Sequence, residues 1–146
     1  MALVDLSEPI RNAIIASSEI TSLLEPYAGS YPVFTHRPVP ADSPRIVIVI
    51  SQDIASDDQD GLNDFRPVII RDIIVFGQNE PDDRFRKVQQ IARYIHSLFH
   101  HKRYSINVPG WITVLVQATG PISLPQDDQT VAEVVTVQVT LARKES

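Results

Sequence analysis

The chain has 146 residues, of which 43% are hydrophobic and 21% charged, so its composition excludes a disordered chain and fits one globular domain over residues 1–146. The lack of cysteine excludes disulfides, thiol nucleophiles and zinc–thiolate sites. A net charge of −5 argues against general nucleic-acid binding, and the longest apolar run, residues 46–50, is too short to cross a membrane.

The first 26 residues predict two helical pieces. Asp5 and Ser7 are candidate N-caps, and apolar residues recur at three- and four-residue spacing over residues 6–14. Serines at 17–18 interrupt this stripe before a second helical turn, which Pro26 ends.

The next segment predicts strands separated by a polar stretch. Valine and isoleucine together number 33 against 9 leucines, and β-branched side chains favour strands. The prolines between residues 26 and 44 leave room for a short strand only, at residues 33–36. Residues 45–52 predict a strand that is either buried on both faces or packed with one face on a neighbouring subunit, and residues 67–76 predict another strand. The acidic residues 51–64 between them predict a long loop or a hairpin tip.

The second half predicts a long helix and two strands. The helix covers residues 82–101, with its buried stripe at Phe85, Val88, Ala92, Ile95 and Phe99. Strands are expected at residues 111–118 and, after a loop at 120–128, over about 13 residues near 131–141, where apolar and polar positions alternate. The element order predicts an α+β fold: a single mixed or antiparallel sheet of about four to five strands with two helices packed on one face.

An acidic segment is the first candidate functional feature. Residues 51–65 hold five aspartates and no lysine or arginine: Asp53, Asp57, Asp58, Asp60 and Asp64. A calcium loop is a weak match, because the ligand positions at its two ends would be Ser56 and Pro67. The other readings are a solvated loop and an acidic surface that meets a partner or repels DNA.

A basic helix is the second candidate feature. Residues 84–103 hold six basic residues and no acid: Arg84, Arg86, Lys87, Arg93, Lys102 and Arg103. Three interpretations of these residues are open. They form the solvated face of an amphipathic helix, or they contact nucleic acid, or they contact acidic residues of another subunit, which is the preferred functional interpretation. Arg84, Arg86, Lys87 and Arg93 are the candidates for that inter-subunit contact.

Catalysis and metal binding find little support in the sequence. His96 and His100 share a helix face, but no third ligand is evident, so solvated histidines are the preferred reading. No serine lies in a Gly-x-Ser-x-Gly turn, and no glycine-rich phosphate loop is present. The protein is therefore expected not to be an enzyme and to need no metal or cofactor.

The order of features nevertheless resembles a known family. A helix that ends in a serine-rich break and Ser22-Leu23-Leu24 leads through a proline-rich connector to the strand at residues 44–50. A loop, the strand at residues 73–77, an Arg-, Ile- and His-containing helix and two closing strands follow. This pattern resembles the tail terminator, or tail completion, proteins of long-tailed bacteriophages and gene transfer particles. The resemblance covers nearly the whole chain and includes no invariant catalytic motif.

The resemblance implies a structural virion protein. Such a protein forms a ring, expected to be a hexamer, that caps the tail tube, ends its polymerisation and joins the tail to the head–neck complex. The implied partners are further copies of the chain, the tail tube protein and a head–neck or connector protein, and DNA passes through the lumen without specific binding. No membrane is involved, and the expected location is the tail–neck junction of a virion assembled in the host cytoplasm.

Two roles are open for the acidic segment within such a ring. It could meet the basic helix of a neighbouring subunit, or it could line the lumen or contact the tail tube, and the second role is slightly preferred because a flexible loop can become ordered when it docks. The alternative functions are a head–tail connector or neck ring protein and, from a different class, a cellular ligand-binding module.

Overall fold

A computed structural model of the chain describes residues 6–35, 44, 46–51, 55–61, 64–78, 84–124 and 130–143. The helices are α1 (Ser7–Ala16), α2 (Ser18–Thr21) and α3 (Arg84–Phe99), and a 3-10 turn covers Arg103–Ser105. The strands are β1 (Val33–Phe34), β2 (Ile46–Ile50), β3 (Ala55–Gly61), β4 (Asp64–Gln78), β5 (Trp111–Leu124) and β6 (Thr130–Arg143). The fold is α+β with one mixed sheet, as predicted.

The sheet has the strand order β1-β2-β4-β6-β5, with β3 as an additional neighbour of β4. β1 and β2 run parallel, whereas the other pairs are antiparallel. Residues 68–70 of β4 pair with β6 and also with β3, so β3 must lie on the side of β4 that faces away from β6. The sheet therefore has six described strands, and the one beyond the predicted four to five is β3. β3 lies in the acidic segment that was predicted as a long loop or a hairpin tip, and the antiparallel pairing with β4 agrees with the hairpin.

The helices cover one face of this sheet and form the core with it. The stripe of α3 is buried at Val88, Ala92, Ile95 and Phe99, as the spacing predicted; the side chain of Phe85 lies outside the described part. α1 contributes Ile10 and Ile14 to the same apolar cluster. On the sheet side, alternate residues of β6 face the helices and are buried, namely Val135, Val137, Val139 and Leu141. Each such side chain contributes roughly 1.5–3 kcal/mol to folding.

The strand β2 is buried at every position, as its unbroken apolar sequence predicted. Ile46, Ile48 and Ile50 belong to the core cluster under the helices. Val47 and Val49 are also buried, although they point to the opposite face. The predicted end residues of this strand, Arg45 and Gln52, lie outside the described residues.

Two local predictions were wrong, each for an identifiable reason. Ser7 is not an N-cap: it is the first residue of α1, and its hydroxyl accepts a hydrogen bond from the buried guanidinium of Arg71. Asp5, the other candidate cap, lies outside the described residues. The loop predicted from Gly120 is part of β5, because Gly120 and Pro121 lie at a shift in the β5–β6 register between Thr119 and Ile122. At such a bulge neither residue needs a ladder hydrogen bond, and glycine accepts the φ of +99° found there.

Candidate assembly surfaces

The acidic segment forms an antiparallel hairpin. β3 pairs with residues 64–70 of β4, in a register that places Asp58 opposite Pro67 and Asp60 opposite Phe65. Of the predicted acidic residues, Asp57, Asp58 and Asp60 lie on β3, and Asp64 is the first residue of β4. Asp53 lies outside the described residues. The hairpin thus brings four of the five predicted aspartates into one element, made of residues 55–61 and 64–67, which we call the acidic arm.

The end of this arm extends beyond the rest of the sheet. β6 pairs with β4 from Val68 onwards, so residues 64–67 of β4 have β3 as their only partner among the described strands. β6 pairs with β5 along most of its length, and beyond Thr140 β5 is its one partner among the described strands. The sheet therefore divides at this end into two ribbons, and the acidic residues lie on the ribbon formed by β3 and β4.

The basic face of α3 is exposed, which is the arrangement that the amphipathic pattern predicted. Arg86, Lys87 and Arg93 are all exposed, while the opposite face of the helix packs on β4, β5 and β6. Arg84 is the first residue of the helix, and its side chain lies outside the described part. The cations are therefore available to a partner, but no contact of the described residues identifies one.

One chain does not bring the acidic arm and the first turns of α3 together. A Cβ atom at Gly77 would overlap Cγ2 of Val88, so the first half of α3 lies directly over the end of β4 that is remote from the arm. Gly77 and Asp64 are separated by roughly 40 Å along β4, at about 3.3 Å per residue. A contact between the arm and Arg86 or Lys87 would therefore need two copies of the chain.

Three histidines connect the end of α3 to β5. The rings of His96 and His100 stack at a centroid distance of 4.8 Å, and those of His100 and His101 at 3.9 Å. The backbone N–H of Ala118 donates to Nδ1 of His100 at 3.1 Å, and the backbone N–H of His101 donates to the carbonyl oxygen of Val116 at 2.8 Å. His100 is therefore a structural contact rather than a solvated side chain.

The environment of His100 favours its neutral form. Desolvation of this half-buried ring lowers the pKa, and the neighbouring His101 and His96 lower it further. The hydrogen bond from Ala118 requires an unprotonated Nδ1 as acceptor. The contacts of His101 with His100 and β5 were not predicted from the sequence. The available signal was the position of His101 directly after His100 at the end of the helix. Among the residues that the structure describes, no group of three or more His, Asp or Glu side chains has the arrangement of a metal site.

A groove beside β5 was not predicted from the sequence. It has a volume of about 590 Å³ and lies between β5 and the segment that follows α3. Its described lining is apolar with a basic rim: Leu98, His101, Lys102, Tyr104, Ser105, Val114, Leu115 and Val116. Tyr104 is 84% exposed and Leu115 39% exposed. The available signal was the run from Trp111 to Val116, which lacks the polar alternation of a strand with one solvated face.

The outer edge of β5 is partly closed by the histidines. β5 has β6 as its only neighbour among the described strands and so is an edge of the sheet. The bonds from His101 to Val116 and from Ala118 to His100 use backbone groups that an added strand would otherwise pair with. The apolar surface of the groove beside this edge remains available for contacts with the side chains of a partner.

Comparison with known proteins shows a shared fold. No protein-family model matches the sequence, and no curated protein matches it. The structure is similar to a chain in a solved structure described as the virion of a native gene transfer agent particle, with a TM-score of 0.73 and 10% sequence identity. The similarity covers 94% of this chain and 94% of that chain. None of the helices in the described part of this protein has the length and apolar character needed to cross a membrane.

Proposed function

We propose that this protein is a structural component of a phage-like particle. The observation that carries the proposal is the fold similarity to a chain of a gene transfer agent virion, which extends over 94% of both chains and so involves the whole fold rather than one motif. The resemblance in feature order, described above on independent grounds, points to the same class of particle. Location in the virion follows from this proposal.

Within that class we propose a tail terminator. Six copies form a ring that caps the tail tube, stops its polymerisation and offers its other side to a head–neck or connector protein. DNA passes through the lumen without specific binding, which suits a chain with a net charge of −5 because like charges disfavour tight contact with phosphates. The proposed location is the junction between tail and neck.

The charge distribution supports ring formation. A closed ring of more than two subunits needs two different, complementary patches on each subunit. The chain carries an acidic arm on one ribbon of the sheet and exposed cations on and after α3. Because β4 separates the arm from the first half of α3 by most of its length, the arm and the cations Arg86 and Lys87 do not pair within one copy.

The proposed role is structural and not enzymatic, without a metal or cofactor. Its clearest sequence argument is the missing nucleophile and phosphate-binding motifs. The most distinctive polar cluster, His96, His100 and His101, is engaged in stacking and in backbone contacts to β5. These contacts support a role for the histidines in holding the fold together.

Deletion of the gene tests the proposal through the morphology of the particles. Loss of a tail terminator leaves tube growth without a stop, so electron microscopy should show overlong tubes that are not joined to heads. Complementation with the intact chain should restore tails of uniform length. Tails of normal length that lack heads would instead favour a connector or neck protein, and normal complete particles would contradict a role in the virion.

A further inference from the structure

We propose that the acidic arm of one copy docks into the groove beside β5 of the next copy, so that repetition of this contact closes the ring. The inference rests on the proposed ring function and adds the two surfaces that meet. In this proposal the partner of the arm is a neighbouring copy and not the lumen or the tail tube. The basic residues that the arm meets lie after the end of α3 and not at the start of α3.

The groove has the chemistry of a protein contact. Its lining includes the apolar side chains of Val114 and Leu115, which are 40% and 39% exposed, and the ring of Tyr104, which is 84% exposed. Exposed aromatic and aliphatic groups of this kind, clustered around a concavity, are typical of an interface rather than of free surface. Lys102 and His101 add positive or titratable groups at the rim, and none of its described lining residues is acidic.

The arm has the complementary chemistry. Its register pairs acidic with apolar positions, Asp58 with Pro67 and Asp60 with Phe65. By its sequence this hairpin carries four aspartates and one arginine, Arg66, so it is net acidic and complementary in charge to the groove residue Lys102. Charge complementarity of this type directs association and sets its register.

The topology makes the contact head to tail. The arm belongs to β3 and the first residues of β4, and the groove lies at the outer edge of β5. Two strands, β4 and β6, separate β3 from β5, which is roughly 14 Å across the sheet. The two surfaces therefore occupy opposite edges of one subunit, and joining unlike edges produces a heterologous contact that can close into a ring.

The contact is made through side chains, not by adding a strand to β5. The carbonyl oxygen of Val116 and the backbone N–H of Ala118 are already bound to His101 and His100 of the same chain. An incoming strand would have to displace both histidines. The groove next to them is open without any such rearrangement.

Crosslinking between introduced cysteines tests the contact directly. The natural chain has no cysteine, so only introduced thiols react with a short bifunctional maleimide. The variant carrying Asp60→Cys and Tyr104→Cys places one thiol in the arm and one at the groove. We expect a ladder from dimer to closed ring on a denaturing gel, both for the purified chain and for the chain in assembled particles.

A matched control separates the two basic surfaces. In the variant with Asp60→Cys and Arg86→Cys, the second thiol is on the exposed start of α3 instead of at the groove. We expect no ladder from this pair. A ladder from the control but not from the groove pair would overturn the proposed contact and assign the arm to α3. Rings or intact particles without a ladder from either pair would also overturn it while leaving the tail-terminator function standing.

A charge exchange gives a second, independent test. Asp58→Lys with Asp60→Lys reverses two charges of the arm, and Lys102→Glu reverses the charge at the groove. Each variant alone should lose roughly tenfold or more in the affinity between copies. An equimolar mixture should restore rings, because each reversed surface meets an opposite charge on its neighbour. Failure of the mixture, with both variants folded, would contradict the contact.

Discussion

The backbone N–H of Ala118 donates a hydrogen bond to Nδ1 of His100, and this bond joins the end of α3 to the outer edge of β5. It holds only while that nitrogen is unprotonated, because a protonated Nδ1 is a donor and would face another donor. The stacked rings of His96 and His101 place two further titratable groups beside it. β5 adds no charged side chain between Val116 and Thr119 that could stabilise a positive charge.

This arrangement predicts that the protein becomes less stable in mild acid. The pKa of His100 is lowered in the folded state, so the unfolded state binds more protons as the pH falls below the ordinary histidine value of about 6.5. The contribution to stability is therefore complete above that pH and is lost below it. Urea unfolding at a series of pH values between neutral and mildly acidic conditions should show a falling free energy of unfolding.

The substitution His100→Asn separates the bond from the titration. The amide oxygen of asparagine can accept from the N–H of Ala118 but does not become charged in this range. We expect a flatter pH dependence than in the natural protein, and His100→Ala should lose stability at every pH. An unchanged slope in His100→Asn would show that other groups carry the pH effect.

A second prediction concerns the contact between α3 and β4. A Cβ atom at Gly77 would overlap Cγ2 of the buried Val88, whose branched side chain has little freedom to move. Gly77→Ala should therefore lower the free energy of unfolding by about 1–3 kcal/mol. Adding Val88→Ala removes the overlapping methyl, so the double variant should lose less than the sum of the two single losses. Additive losses in chemical denaturation would contradict this packing.

A third prediction concerns the hydrogen bond between the buried Arg71 of β4 and Ser7 of α1. Ser7→Ala removes an acceptor from a charged donor and should cost about 1–3 kcal/mol of unfolding free energy. Ser22→Ala is the matched control, since the exposed hydroxyl of Ser22 donates only to the carbonyl oxygen of Glu19, and its effect should stay within about 0.5 kcal/mol. Equal effects of the two substitutions would contradict a structural role of the Arg71–Ser7 bond.

A fourth prediction concerns the acidic arm. Replacement of Asp57, Asp58 and Asp60 by asparagine removes three negative charges from β3 and keeps side chains of nearly the same size. We expect native mass measurements to show weaker assembly, with little change in the free energy of unfolding of the monomer. Normal assembly and normal DNA ejection by particles with this variant would identify the arm as a solvated bystander.

A fifth prediction separates the groove from the start of α3. Arg86→Glu with Lys87→Glu reverses two exposed cations that lie away from the groove lining. If the arm docks in the groove, this variant should keep the native mass of the assembly. The hypothesis from the sequence, that Arg84, Arg86, Lys87 and Arg93 form the inter-subunit contact, predicts a loss of assembly instead. The native mass of this variant therefore decides between the two contacts.

Much of the fold was predictable because it depends on short-range periodicity. The 3.6-residue stripe of α3 and the alternation along β6 each appear in the sequence as they appear in the core. β3 was not predictable in this way, since Asp and Gly disfavour strands and only the pairing with β4 makes residues 55–61 extended. Gly120 and Pro121 likewise indicate a loop in the sequence, and only the pairing of β5 with β6 shows that they lie at a bulge within β5.

The candidate surfaces were predictable in charge but not in shape. The clustering of aspartates and of basic residues is a property of the sequence alone. The hairpin of the acidic arm, the position of α3 over the far end of β4 and the groove beside β5 all depend on which strands pair. The role of His101 was not predictable for the same reason, because the acceptor for its backbone N–H is the carbonyl oxygen of Val116 on β5.

The number of copies in the oligomer tests most directly whether this chain forms a ring at the end of a tail tube. Native mass spectrometry of the oligomer released from purified particles should give six times the mass of the 16.3 kDa chain. A twelve-fold assembly would assign the protein to the connector instead. Absence of the protein from purified particles would contradict any role in the virion.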